Sequence, residues 1–174
     1  WQEKFTIFDN SVRLAGWRAT AVDAVLDKLC YIDEGASAAG YLASMDALAV
    51  SYPTTAVVYA TMPLTTGEDA DNVLRNLYNQ AVRAHCAAIG ALLYDIADIE
   101  AHAPDGAEQT FESGGQTYQK LYSGYTDDGG HLATAGRQRV AQGWYAAAAT
   151  LAPCRVFADG FEAGDAADWS PTIP

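Results

Sequence analysis

Tyr125-Thr126-Asp127-Asp128-Gly129-Gly130-His131-Leu132 sets a carboxylate three residues before one of only three histidines in the chain. Two glycines lie between Asp128 and His131. The backbone can therefore turn sharply and bring both side chains to the same side. The residues that follow, Leu132 to Thr150, are rich in Ala, Arg and Gln and predict a helix. An Asp-x-x-His on the loop before a final helix supplies a general base and the group that orients it, as a Ser/His/Asp hydrolase requires. The competing reading is ordinary turn chemistry, with Asp127 or Asp128 capping the helix.

Working outward, Ala56-Val57-Val58-Tyr59-Ala60-Thr61-Met62 is the clearest strand, closed by Pro63-Leu64-Thr65-Thr66-Gly67. It sets hydroxyls, Thr61 first, at a strand's C-terminal end, where parallel sheets bind ligands. A second strand is expected over Leu29-Cys30-Tyr31-Ile32, ending on Asp33, which makes Asp33 a candidate site residue or else a cap. Ala91 to Ile96 predicts a third strand, with Asp95 near its end. Helices are expected over 4–22, over 36–51 with Tyr41, Leu42, Met45 and Leu48 on one face, and from 70 towards His85. The last carries Val73, Leu74, Leu77, Tyr78, Ala81 and Val82, while Asn76 and Asn79 are either exposed or hydrogen-bonded beneath the site. Residues 106–124 predict a long irregular loop. This alternation indicates an α/β fold with a parallel sheet.

Half of the 174 residues are apolar and 18% are charged, which suits one globular domain with a sizeable core. The net charge of −12 argues against nucleic acid or an acidic membrane surface as partner. No apolar run has the length of a membrane span. No phosphate-binding glycine pattern and no metal-ligand spacing occurs, so neither cofactor nor metal is expected. Cys30 suits a buried small hydrophobe, and a Cys86–Cys154 bridge is open if the protein is secreted. From Cys154 to Pro174 the composition turns acidic, which separates a domain over 1–153 from a tail over 154–174.

Taken together, several segments resemble the SGNH (GDSL-like) hydrolase superfamily over residues 4–150. They are Leu29 to Asp33, Thr61-Met62-Pro63-Leu64-Thr65, the helix with Asn76 and Asn79, Tyr94 to Glu100, and above all Thr126 to Leu132. The resemblance implies a three-layer α/β/α sandwich and hydrolysis of acyl esters, often acetyl groups, on carbohydrates or lipids. It implies His131 as general base and Asp128 as its partner; Asp33 and Thr61, at strand ends, and Tyr125, in the aromatic loop, are the candidate substrate contacts. The superfamily's Gly-Asp-Ser nucleophile block has no counterpart, since Ser11 falls inside a helical pattern. Its Gly-x-Asn-Asp block is also absent, and Cys30-Tyr31-Ile32-Asp33 stands at that place. The expectation is a chain that begins downstream of the nucleophile and lacks the first strand. The alternative is a catalytically inactive relative that binds carbohydrate or assembles with a partner, stacking sugar on Tyr118, Tyr122 and Tyr125. The tail segment Asp159-Gly160-Phe161-Glu162-Ala163-Gly164-Asp165 resembles the ends of secreted bacterial proteins, which points to a secreted or periplasmic location.

Overall fold

The computed structural model describes residues 1–13 and 23–151. Three short parallel strands form the centre: β1 (Ala24–Leu26), β2 (Ala56–Ala60) and β3 (Leu93–Tyr94), in the order β1-β2-β3. Ala24 pairs with Ala56 and Leu26 with Val58, while Tyr59 pairs with Leu93. Among the described residues β1 has no strand on its outer side.

Alternation along β2 builds the layers, because successive side chains leave opposite faces of a strand. Val57 and Tyr59 pack with α1 (Gln2–Arg13), α2 (Ala38–Ser51) and α3 (Ala70–Ile89). Val58 and Ala60 join Tyr94 and Ile96 against Val140, Trp144 and Ala147 of α5 (Thr134–Leu151). The result is an α/β/α sandwich. Burying Tyr41, Met45 and Leu48 of α2, all fully enclosed, supplies about 1.5–3 kcal/mol for each such side chain. The Tyr41 hydroxyl also donates to the Asp27 carbonyl and accepts from the Ala60 amide, which ties the end of β1 to β2.

Two expectations give way here. The strand expected over Leu29–Ile32 lies earlier, at β1, and Tyr31–Asp33 is a 3-10 turn. The Asp33 carboxylate accepts the Cys30 amide and a bond from Lys4, so it caps this turn internally. The irregular loop of 106–124 holds an antiparallel hairpin instead, β4 (Thr110–Ser113) with β5 (Gln116–Gln119). Its two-residue turn is Gly114-Gly115, both at positive φ (59° and 77°), the conformation that matches strand twist in tight hairpins. Between β3 and this hairpin runs the short α4 (Ile96–Ala101). The acidic tail and Cys154 lie outside the described residues, as does the continuation of α1 beyond Arg13. No helix among the described residues is long and apolar enough to cross a membrane.

α3 departs most from its apolar reading. It starts on Asp69, whose carboxylate accepts the Asn72 amide, and stops at Gly90 with φ 67°. Leu74 and Leu77 turn outward, 45% and 46% exposed, while Asn72, Arg75, Asn76 and Asn79 are buried. The buried polar residues are needed inside because chain ends leave the sheet there with backbone groups unpaired. Asn79 accepts from the Met62 amide at 2.6 Å and donates to the Met62 carbonyl at 2.9 Å. Asn76 treats Gln119 in the same manner, accepting from its amide and donating to its carbonyl. Asn72 does so for Thr65 and adds the Gly67 carbonyl.

Asn79→Ala strips both partners from Met62 inside the core. It is expected to lower unfolding free energy by about 2–4 kcal/mol, read as a lower urea midpoint. Truncating the exposed neighbour, Gln80→Ala, should stay within about 0.5 kcal/mol of wild type.

Candidate active site

The loop from Thr126 to Leu132 is closed by a bridge between its two ends. The Thr126 hydroxyl fills its centre, accepting from the Gly129 amide at 3.0 Å and donating to the His131 carbonyl at 2.8 Å. Asp128 Oδ1 accepts the amides of Gly130 and His131 at 3.0 and 2.8 Å. Its other oxygen, Oδ2, lies 2.7 Å from His131 Nδ1. These amide and imidazole bonds hold the Asp128 carboxyl well below the usual carboxylate range.

Both glycines are demanded by this geometry. Gly129 has φ 91°, a region side chains disfavour, and its carbonyl accepts from the Thr66 amide at 2.9 Å. At Gly130 a Cβ would stand 2.9 Å from the Tyr31 ring. That ring meets the imidazole edge-on, with centroids 5.2 Å apart. The Tyr31 hydroxyl lies 3.1 Å from His131 Nε2, the nitrogen opposite the Asp128 contact. The same hydroxyl lies 3.2 Å from Nδ1, so it stands almost equally near both ring nitrogens. Tyr31 was missed from sequence, because its approach to a residue 100 positions away leaves no local pattern.

Three strand ends converge on this point. Cys30 and Tyr31 follow β1, Pro63 follows β2 and Ile96 follows β3, and all line one cavity of about 380 Å³ with His131. The imidazole therefore stands over the carboxyl ends of a parallel sheet, where such folds place ligands. Glu100, 1% exposed, lines the same cavity and accepts the Leu64 amide at 2.8 Å through Oε2. Burial pushes its carboxyl up to about 8. Sequence pattern did not single out Glu100. On the other side of Tyr31 a second hollow, of about 340 Å³, is lined by Thr65, Thr66, Asp69, Arg75 and Asp128. The buried Arg75 guanidinium spans the two loops, donating to the Tyr31 carbonyl at 2.6 Å and to Thr65 Oγ1 at 3.2 Å.

The structure brings Asp128 and His131 together and keeps the other sequence candidates away from the cavity wall. Thr61 is fully buried, donating to Asp95 at 2.9 Å and accepting the Ala97 amide at 3.0 Å. Asp33 is occupied with its turn. Tyr125, 3% exposed, packs with Leu64, Ala97, Ala101 and Leu121. Tyr118 is likewise buried, so neither ring offers a face for stacking on sugar. Ser11 is exposed on α1 and donates to the Ile7 carbonyl. Among the described residues no serine lines the cavity beside His131.

The same architecture occurs in solved structures. The chain has an SGNH/GDSL-like fold. It aligns with a protein described as a lipolytic protein of the G-D-S-L family from Desulfitobacterium hafniense at TM-score 0.53 and 12% identity, covering 84% of this chain and 73% of that one. A protein described as an acylhydrolase from Bacteroides fragilis aligns at TM-score 0.50 and 16% identity, over 75% of this chain and 63% of that one. A protein described as a platelet activating factor from Streptococcus pneumonia aligns at 0.52 and 19%, over 76% and 61%. The chain thus spans less than two thirds of the length of the last two. No protein-family model matches the sequence, and no curated protein matches it.

With Asp128 on Nδ1, the neutral ring is expected to carry its proton there and leave Nε2 free. Ring 15N NMR should show this tautomer in wild type and a shift towards Nε2–H in Asp128→Ala. A carboxyl held this acidic also stays ionised as pH falls through the usual carboxylate range. The Gly130 and His131 amide shifts should therefore persist there and move only under stronger acid.

Proposed function

We propose that this chain carries the base half of a serine-type ester hydrolase acting on acyl, chiefly acetyl, esters of carbohydrates or lipids. The observation that carries the reading is the contact of Asp128 Oδ2 with His131 Nδ1 at 2.7 Å, which leaves the opposite nitrogen, Nε2, to act as the base. In this mechanism Nε2 takes the proton of an attacking hydroxyl as its oxygen adds to the ester carbonyl. The imidazolium then returns the proton to the departing alcohol. Asp128 keeps the ring in the tautomer that leaves Nε2 basic and stabilises the ring while it is charged.

The attacking hydroxyl is assigned to a serine outside the described residues. The fold supports the reading as well, since the solved structures it resembles include proteins described as acylhydrolase and lipolytic. The convergence of three strand ends on His131 supports the reading too, because parallel sheets bind ligands at that end.

p-Nitrophenyl acetate hydrolysis tests this in the chain and in any longer natural form that contains it. The chain alone should stay near the background of a free imidazole. In a form that includes the serine, His131→Ala should lower kcat/KM by about 10³-fold or more. Equal rates for wild type and His131→Ala in that form would exclude His131 as the base.

A further inference from the structure

Glu100 has an oxygen that the fold does not use. Oε2 holds the Leu64 amide, and the residue's own carbonyl accepts the Tyr122 amide. Oε1 has no hydrogen-bond partner among the described residues. Among the described residues the one side-chain polar atom both sealed from solvent and without a partner is the Tyr78 hydroxyl, so Glu100 Oε1 is not such an atom. Glu100 is also among the residues that line the cavity beside His131.

We propose that Glu100 is a ligand-contacting residue, whose Oε1 hydroxyl donates a hydrogen bond to the carbonyl oxygen of an acyl group bound in the cavity beside His131. The proposal rests on the ester-hydrolase reading for its choice of ligand, and on cavity geometry for the donor itself. A carboxyl with a pKa near 8 is neutral at neutral pH and has a proton to give. Such a donor, held on a buried side chain, stabilises the negative charge that grows on a carbonyl oxygen under attack. This offers a replacement for the side-chain amide missing with the Gly-x-Asn-Asp block.

The groups facing Glu100 set the terms of its titration. Lys28, Cys30 and Tyr31 stand on the segment after β1, His131 on the loop before α5, and Arg137 on α5. Lys28 pulls the carboxyl's pKa down and the Leu64 amide does so more, yet burial outweighs both. The folded state holds this proton more tightly than the unfolded chain. Stability from it is complete below pH 4.5, declines as pH rises from there, and is gone above about 8.

Two variants separate the possibilities. In a form active on p-nitrophenyl acetate, kcat/KM should fall on the alkaline side with a midpoint near 8. Glu100→Gln keeps both the Leu64 acceptor and a donor. It should retain activity within about fivefold at pH 7 and lose that alkaline fall. Glu100→Leu should cost about 10²-fold below pH 8, with the gap to wild type closing as pH rises above it. An unchanged alkaline fall in Glu100→Gln, or full activity in Glu100→Leu, overturns the proposal.

A second measurement needs no turnover. The Glu100 side-chain carboxyl is followed by 13C NMR against pH in the chain as acetamide, a carbonyl-oxygen probe, is titrated in. Donation to acetamide favours the protonated form, so the titration midpoint should rise. A midpoint that does not move overturns the proposal regardless of activity. A rising midpoint with a silent His131→Ala leaves Glu100 as a ligand donor and rejects the hydrolase reading.

Discussion

The structure depends on α3 lending side-chain amides to backbone that has left the sheet. Three parallel strands of two to five residues cannot pair the segments beyond their ends. Those segments carry the loops that surround His131. Asn79 takes Met62, Asn72 takes Thr65 and Gly67, and Asn76 takes Gln119, each matching an amide and a carbonyl together. A carboxamide is suited to this because it carries both a donor and an acceptor in fixed relation, as a peptide group does. Placed at helical spacing on one face, three of them replace a strand's worth of ladder.

Rigidity passes from there to the His131 loop in two steps. Arg75, on the same face, grips the Tyr31 carbonyl and the Thr65 hydroxyl. The next residue, Thr66, donates to the Gly129 carbonyl inside the loop that bears Asp128 and His131. Glu100 holds Leu64 from the opposite side. The loop after β2 is thus gripped by α3, α4 and the His131 loop at consecutive residues. Positioning of this kind is what a general base needs, since its effect depends on distance and alignment.

Much of this was legible in the sequence where chemistry is local. The Asp-Gly-Gly-His turn, the strand at 56–60 and the helix after Leu132 all announce themselves through residues close in the chain. The hairpin at 110–119 had a local signal too: Gly-Gly between two four-residue runs. Its glutamine-rich strands lacked the apolar alternation that normally marks a half-buried pair. β1 was misplaced because Leu29 to Ile32 is the more apolar run, yet register with Ala56 to Val58 selects Ala24 to Leu26. The inward face of α3 was illegible for a deeper reason. Apolar periodicity assumes that polar residues seek water, whereas here the buried backbone competes for them more strongly. Glu100 and Tyr31 acquire meaning only through partners far away in sequence, and no window can show that.

The grip on Tyr31 is unequal along its length. Arg75 anchors its main chain, while its ring rests edge-on against an imidazole whose side chain is 75% open to solvent. Swinging the phenol aside would therefore break its hydroxyl and edge contacts to the imidazole and leave the main-chain anchor of the segment in place. The aromatic cover over the free nitrogen and the scaffold beneath it are mechanically separate parts, so the imidazole can be uncovered without loosening what holds it.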